Sequence, residues 1–124
     1  MDQDAIWRLE EQFWLGDHAH YRSALDADCM MCFPPPFGFV VGKAILESLS
    51  QAPRWSSVEM TERQLLRPTS GLVVLGYWAR GIREGADPYE AFCTSSYRAA
   101  VGGWKLFQHH QTRIAPPGKA EGDR

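Results

Sequence analysis

YEAFCTSSYRAAVGGWKLFQHHQTRI, residues 89–114, reads as two long strands around one tight turn. Tyr89–Ala100 and Trp104–Ile114 are rich in aromatic residues and Thr, and Gly102-Gly103 between them supplies the positive backbone angles of a short hairpin. The same texture continues upstream. Leu72–Ile82 is a strand candidate rich in Val, Tyr and Trp, joined to the hairpin by the turn signal Gly85-Ala86-Asp87-Pro88. Before it, Trp55–Leu66 runs with period two up to a second turn signal, Pro68-Thr69-Ser70-Gly71. Four long strands with short consecutive connections predict an antiparallel meander.

The N-terminal half has helical texture instead. In residues 4–15, Ile6, Leu9 and Phe13 recur at i, i+3 and i+7, with Trp7 and Trp14 beside them. Asp2 or Asp4 caps the start, Gly16 offers a stop, and Asp17 caps a second helix over about residues 17–25. Asp28-Cys29-Met30-Met31-Cys32-Phe33 predicts a short strand that ends at Pro34-Pro35-Pro36. Gly42 precedes a third helical pattern, Lys43–Ser50. Helices first and a meander afterwards is an α+β arrangement, and the helices are the available cover for one sheet face. A long twisted sheet curls over them, and the open end of the curl is a natural concave site. The domain spans residues 1–114. Residues 115–124 carry Pro, Gly and charges with no apolar face and read as a disordered tail.

The composition excludes several classes. A chain of 124 residues is one domain with a real core. Its net charge of −2 offers no field for nucleic acid. No apolar run approaches the roughly 18 residues of a membrane span. Met1-Asp2-Gln3-Asp4 is acidic where a secretory signal is basic, and three cysteines fit reduced thiols, so the expected location is cytoplasmic.

Cys93-Thr94-Ser95-Ser96-Tyr97-Arg98 followed by Gly102-Gly103-Trp104-Lys105-Leu106-Phe107-Gln108-His109-His110-Gln111-Thr112 resembles the final hairpin of the nuclear transport factor 2-like superfamily. Trp14-Leu15-Gly16-Asp17 and the spacing of Tyr21, Leu25 and Asp28 agree with its first two helices. The similarity covers residues 4–114 and is greatest to SnoaL-like and ketosteroid-isomerase-like single-domain proteins. It implies a cystatin-like cone, with N-terminal helices packed on a curved four- to five-stranded antiparallel sheet. It also implies sheet-to-sheet homodimers. The isomerases of that superfamily keep a general-base Asp just before the proline that ends the first strand, where this chain has Phe33 ahead of Pro34. Their oxyanion-holding Tyr and acid align with Leu9 and Ser95. A Phe moves no proton, so steroid-isomerase chemistry as such is not expected.

Other motifs weigh against strong catalytic machinery. No nucleotide loop and no nucleophile elbow is present. Cys29 and Cys32 form a CxxC, but in a strand they point to opposite faces. His18 and His20 face apart on a helix, and so do His109 and His110 on a strand, so no metal site and no cofactor is expected. The Trp55–Arg63 strand carries Glu59, Glu62 and Arg63, which read as a solvated face. In the last strand either Trp104, Leu106, Gln108, His110 and Thr112 face the core, or Lys105, Phe107, His109 and Gln111 do, and the position of Lys105 favours the first set. Apolar residues in both sets suggest two covered sheet faces, the outer one by a second copy.

The pocket-lining candidates are Trp14, Tyr21, Asp28, Phe33, Tyr77, Tyr97, Gln108 and His110. The leading functional reading is a small-molecule-binding protein with an apolar, aromatic-rich pocket. One alternative is an isomerase-, dehydratase- or cyclase-type enzyme that moves a proton with an Asp/His or Tyr/His pair. The other is a homodimerisation module. The expected partners are a second copy at the outer sheet face and a small apolar ligand, with no nucleic acid and no membrane.

Overall fold

The structure is a computed structural model that describes residues 2–49 and 54–114. The tail expected at 115–124, and Ser50 at the end of the third helical pattern, lie outside the described residues. Helix α1 spans Gln3–Leu15, and Asp2 caps it by accepting from the Asp4 amide at 2.9 Å. Helix α2 spans His18–Ala24 under the cap Asp17, which accepts from Ala19 N–H at 3.0 Å. Six strands and one more helix follow: β1 (Leu25–Phe33), β2 (Gly38–Val41), α3 (Lys43–Leu49), β3 (Ser57–Thr69), β4 (Leu72–Ile82), β5 (Tyr89–Ala100) and β6 (Gly103–Arg113). Among the described residues, no helix is long and apolar enough to cross a membrane.

The six strands form one sheet in the order β2-β1-β6-β5-β4-β3. The expected meander β3 to β6 is present with antiparallel registers throughout. The expected strand count and orientation need correction. The sheet has six strands and is mixed, because β1 lies parallel to β6. The sixth strand is the short Gly38-Phe39-Val40-Val41, which turns back from the prolines to pair with β1. β1 also begins earlier than expected, at Leu25, the residue read as the end of the second helix. β3 runs through Pro68 to Thr69, which an edge strand tolerates because one side of its backbone is unpaired.

Four register shifts interrupt the ladders, and two of them lie where the sheet meets the core. In β3, Thr61 pairs with Trp78 and Gln64 with Gly76, so Glu62 and Arg63 together oppose Tyr77. Glu62 takes a left-handed φ of 52° there, an uncommon conformation for a residue with a side chain. In β6, Tyr97 pairs with Leu106 but Ser96 pairs with Gln108, leaving Phe107 as the extra residue. That bulge settles the register question in an unanticipated way. Trp104 and Leu106 face the core before Phe107, and His109 and Gln111 face it afterwards. Neither predicted set is the inner face along its whole length.

The core lies between α1 and the inner sheet face. α1 contributes Ile6, Trp7, Phe13 and Trp14; β4 contributes Val73, Leu75 and Ala79. Trp55 stacks over Gly81, where an added Cβ would come within 3.0 Å of the indole, so only glycine lets the ring approach that closely.

Candidate functional site

Glu10 is fully buried at the centre of this core. It sits on the apolar stripe of α1, on the same side as Ile6 and Phe13. The sheet supplies its partners. Ser95 Oγ donates to Oε2 at 2.6 Å, and Tyr97 Oη donates to Oε1 at 2.7 Å. Tyr77 Oη also donates to Oε2, in a short contact. His109 Nδ1 lies 3.6 Å from Oε2 and 2.7 Å from Ser95 Oγ. The single proton of Ser95 goes to the carboxylate, so His109 Nδ1 is the donor to Ser95. On its other side His109 Nε2 meets Gln111 Oε1 at 2.9 Å, and the Gln111 amide donates to Tyr89 Oη at 2.8 Å. A relay thus runs from Glu10 through Ser95, His109 and Gln111 to the half-buried Tyr89.

Burial by itself raises the pKa of the Glu10 carboxyl. The hydrogen bond and charge of His109, then Ser95 and Tyr77, outweigh it and hold the group below its ordinary value. Burial pushes the phenols of Tyr77 and Tyr97 well above ordinary tyrosine, and the Glu10 charge adds to this, so both remain donors. The result is an ionised carboxylate with donors on both oxygens. That arrangement offsets the several kcal/mol a bare buried charge would cost. It also makes Glu10 a poor proton acceptor. The next titratable group along the relay is His109, whose Nε2 is bonded to Gln111.

The eight candidate residues divide between the interior and the surface. Trp14, Tyr21, Tyr77 and Tyr97 are buried inward. Trp14 Nε1 donates to Tyr77 Oη at 3.0 Å, which ties α1 to the relay. Tyr21 Oη donates to the Phe13 carbonyl at 2.5 Å and accepts from Arg54 at 3.3 Å. Phe33 is half-buried, its ring 6.0 Å from that of His109. The other three are not brought to the interior. The Asp28 side chain is 90% exposed beside Arg98, because alternation along β1 sends Cys29 and Met31 inward and Asp28 outward. Gln108 lies on the outer sheet face and accepts from Ser96 Oγ at 2.9 Å. His110 is exposed on that same face, so His109 is the inward member of the pair.

Two contributors were missed from the sequence. Glu10 could have been found as the one charged residue on an otherwise apolar helix stripe. Arg54 carries no motif. Its guanidinium donates to the carbonyls of Gly16 at 2.9 Å and Trp14 at 2.8 Å, and to that of Phe13, capping the end of α1. Cys29 and Cys93 are buried; burial raises the Cys29 thiol to about 12 and pushes the Cys93 thiol up as well. Among the described residues no group of three His, Cys, Asp or Glu converges to hold a metal. Two surface hollows of about 180 and 240 Å³ lie at Trp7 and Arg63, and at Trp78 and Arg80; neither includes Glu10 or its partners.

The outer sheet face carries exposed Met30, Phe39 and Val41 on β1 and β2, and Leu66 and Phe92 on β3 and β5. Trp78 stands beside Phe92 with ring centroids 5.4 Å apart. Between these two apolar groups lies a polar strip of Gln108, His110, Thr94 and Ser96.

No family model matches the sequence, and no curated protein sequence matches it. Solved structures do match in shape. An NTF2-like protein from Cytophaga hutchinsonii superposes with a TM-score of 0.74 at 18% identity, over 92% of this chain and 100% of the other. The CaMKII hub of S. rosetta superposes with a TM-score of 0.70 at 12% identity, over 90% and 95%. A hexachlorocyclohexane dehydrochlorinase from Novosphingobium barchaimii gives 0.66 at 19%, over 93% and 94%. At these identities the likeness is one of fold, and the fold hosts both enzymes and association domains. Helices on a curved six-stranded sheet and superposition over more than nine-tenths of the chain agree: the chain has the NTF2-like, cystatin-like fold.

Proposed function

We propose that this domain is a self-association module whose outer sheet face docks a second copy of the chain. The outer apolar face carries the proposal: exposed Met30, Phe39 and Val41 at one side of the sheet, and exposed Leu66 and Phe92 with half-buried Trp78 at the other. An apolar surface of this kind marks an interface. Its layout fits a two-fold axis parallel to the strands between β6 and β5. Such an axis lays β2 and β1 of one copy on β3 and β4 of the other. The axis keeps levels along the strands, so Val41 lies over Leu66 and Met30 over Val74 of the partner, while the polar strips and Phe92 lie beside the axis. The likeness to the S. rosetta hub and to a kinase association domain from Exiguobacterium sibiricum supports association as a role this shape can serve. The interior supports the same reading, since Glu10 and its donors occupy the middle of the cone. Size-exclusion chromatography with light scattering tests it. The wild type is expected to elute at twice the 14.0 kDa of one chain at micromolar concentration, and Phe92→Glu at one. A monomeric wild type at about 100 µM, where even a weak dimer forms, refutes it.

A second reading, acid–base chemistry on a small molecule, has one observation in its favour. His109 is oriented by Ser95 and Glu10 and presents Nε2 to Gln111, with the Phe33 ring beside its own. The likeness to a dehydrochlorinase supports such chemistry in this fold. A small apolar ligand in the cone is the simpler form of the same reading. Native mass spectrometry of the protein as purified distinguishes them, because a bound small molecule adds mass that denaturation removes.

A further inference from the structure

We infer that the floor of the cone is a receptor for one carboxylate group, built by the sheet and occupied in cis by Glu10 of α1. The donors come from three neighbouring strands: Tyr77 on β4, Ser95 and Tyr97 on β5, and His109 on β6. Three of the four have holders besides the carboxylate. Tyr77 Oη accepts from Trp14, Ser95 Oγ is bonded to His109, and His109 Nε2 is bonded to Gln111. The donor set therefore stays in place when the carboxylate is removed. Its chemistry is selective. Donors converge on two oxygens, Oε1 and Oε2, so an anion with two oxygens in one plane satisfies them. A single-atom anion or a neutral group leaves buried hydroxyl protons unpaired. Tethering gives Glu10 a high effective concentration at the site, so a free carboxylate does not displace it from the intact chain. Helix α1 thus acts as a built-in ligand that closes the floor.

Glu10→Ala removes a CH2 and a carboxylate, the atoms that acetate supplies. The experiment follows the melting temperature of this variant at neutral pH as chloride is replaced by acetate at constant ionic strength. Glu10→Ala is expected to melt below wild type and to recover with acetate in a saturating manner. Wild type and the isosteric Glu10→Gln, whose sites are filled, are expected not to respond. The double variant with Tyr97→Phe is expected to lose most of the recovery. Equal melting in acetate and chloride overturns the inference. If Glu10→Ala does not fold in chloride, far-UV circular dichroism after refolding in each salt decides the matter. A folded spectrum in acetate alone supports the receptor, and an unfolded chain in both refutes it. The self-association reading does not depend on this result.

Discussion

Tyr97→Phe removes one oxygen atom from a fully buried ring and leaves its shape intact. The lost group donates to Glu10 Oε1 at 2.7 Å, while Ser95 and Tyr77 donate to the other oxygen. No exposed surface admits water to replace it. A hydrogen bond to a charged group is worth about 1.5–3 kcal/mol, so the variant is expected to lose that much stability. For a domain of this size the loss amounts to a melting-temperature drop of roughly 6–12 °C. The sign with pH follows from the lowered Glu10 carboxyl. A carboxyl whose folded pKa lies below its unfolded value contributes stability above the unfolded value, near 4.5. That stability is lost as pH falls through the folded value. Tyr97→Phe weakens the charged form, so the gap between wild type and variant is expected to be full at pH 7 and to shrink below pH 4.5. Urea unfolding of both proteins from pH 7 to pH 3 reads this directly. A double-mutant cycle with Glu10→Gln is expected to give a coupling of at least about 1 kcal/mol. A gap under about 0.5 kcal/mol, unchanged with pH, would refute the account of the buried carboxylate.

Other perturbations separate the remaining elements. Arg54→Lys keeps the charge but not the fork that reaches Gly16, Trp14 and Phe13 together, so it is expected to destabilise nearly as much as Arg54→Ala in thermal melts. The His20 ring packs on Phe13 with its Nε2 shut away from solvent and without a partner, and burial lowers its pKa below the ordinary imidazole value. Its depressed folded value means that stability is present above pH 6.5 and is lost as pH falls below it. His20→Phe is accordingly expected to flatten the stability slope between about pH 7 and pH 5, as read by denaturant midpoints. Buried Cys29 and Cys93 are expected to resist a thiol reagent in the native protein, while half-buried Cys32 reacts; three thiols titrate after unfolding.

Much of the fold was legible because its punctuation is local. Gly102-Gly103, Gly85 through Pro88 and Ser70-Gly71 mark the turns, and period two marks the strands between them. The two departures have non-local causes. β2 is four residues long behind a run of prolines, too short for periodicity to register. The parallel contact of β1 with β6 joins positions such as Met31 and His109 that no turn connects. The site was less legible, for one physical reason above all. Phe107 forms a bulge that moves the inner face from Leu106 to His109, and alternation counted through it assigns the wrong histidine. Tyr77 and Tyr97 were visible as polar tips in apolar strands. Their common partner Glu10 carries little local signal beyond its place on the apolar stripe, because a helical glutamate faces solvent unless distant strands supply its donors, as Tyr77, Ser95 and Tyr97 do here. Asp28 falls on the outer face because Cys29 and Met31 fill the inner one.

The docking geometry admits a test that depends on both faces at once. If β2 of one copy lies on β3 of the other, Val41→Glu and Leu66→Lys place opposite charges where apolar contacts were, since the registers put these two positions at one level. Each variant alone sets bare charges against an apolar partner and is expected to sediment as a 14.0 kDa monomer. Mixed in equal amounts, they pair Glu with Lys on one side and keep Val41 against Leu66 on the other. Sedimentation velocity of the mixture is the decisive measurement. A species of twice the single-chain mass in the mixture alone is the expected result. Monomers in the mixture as in the separate variants, or dimers of each variant by itself, would contradict the proposed face.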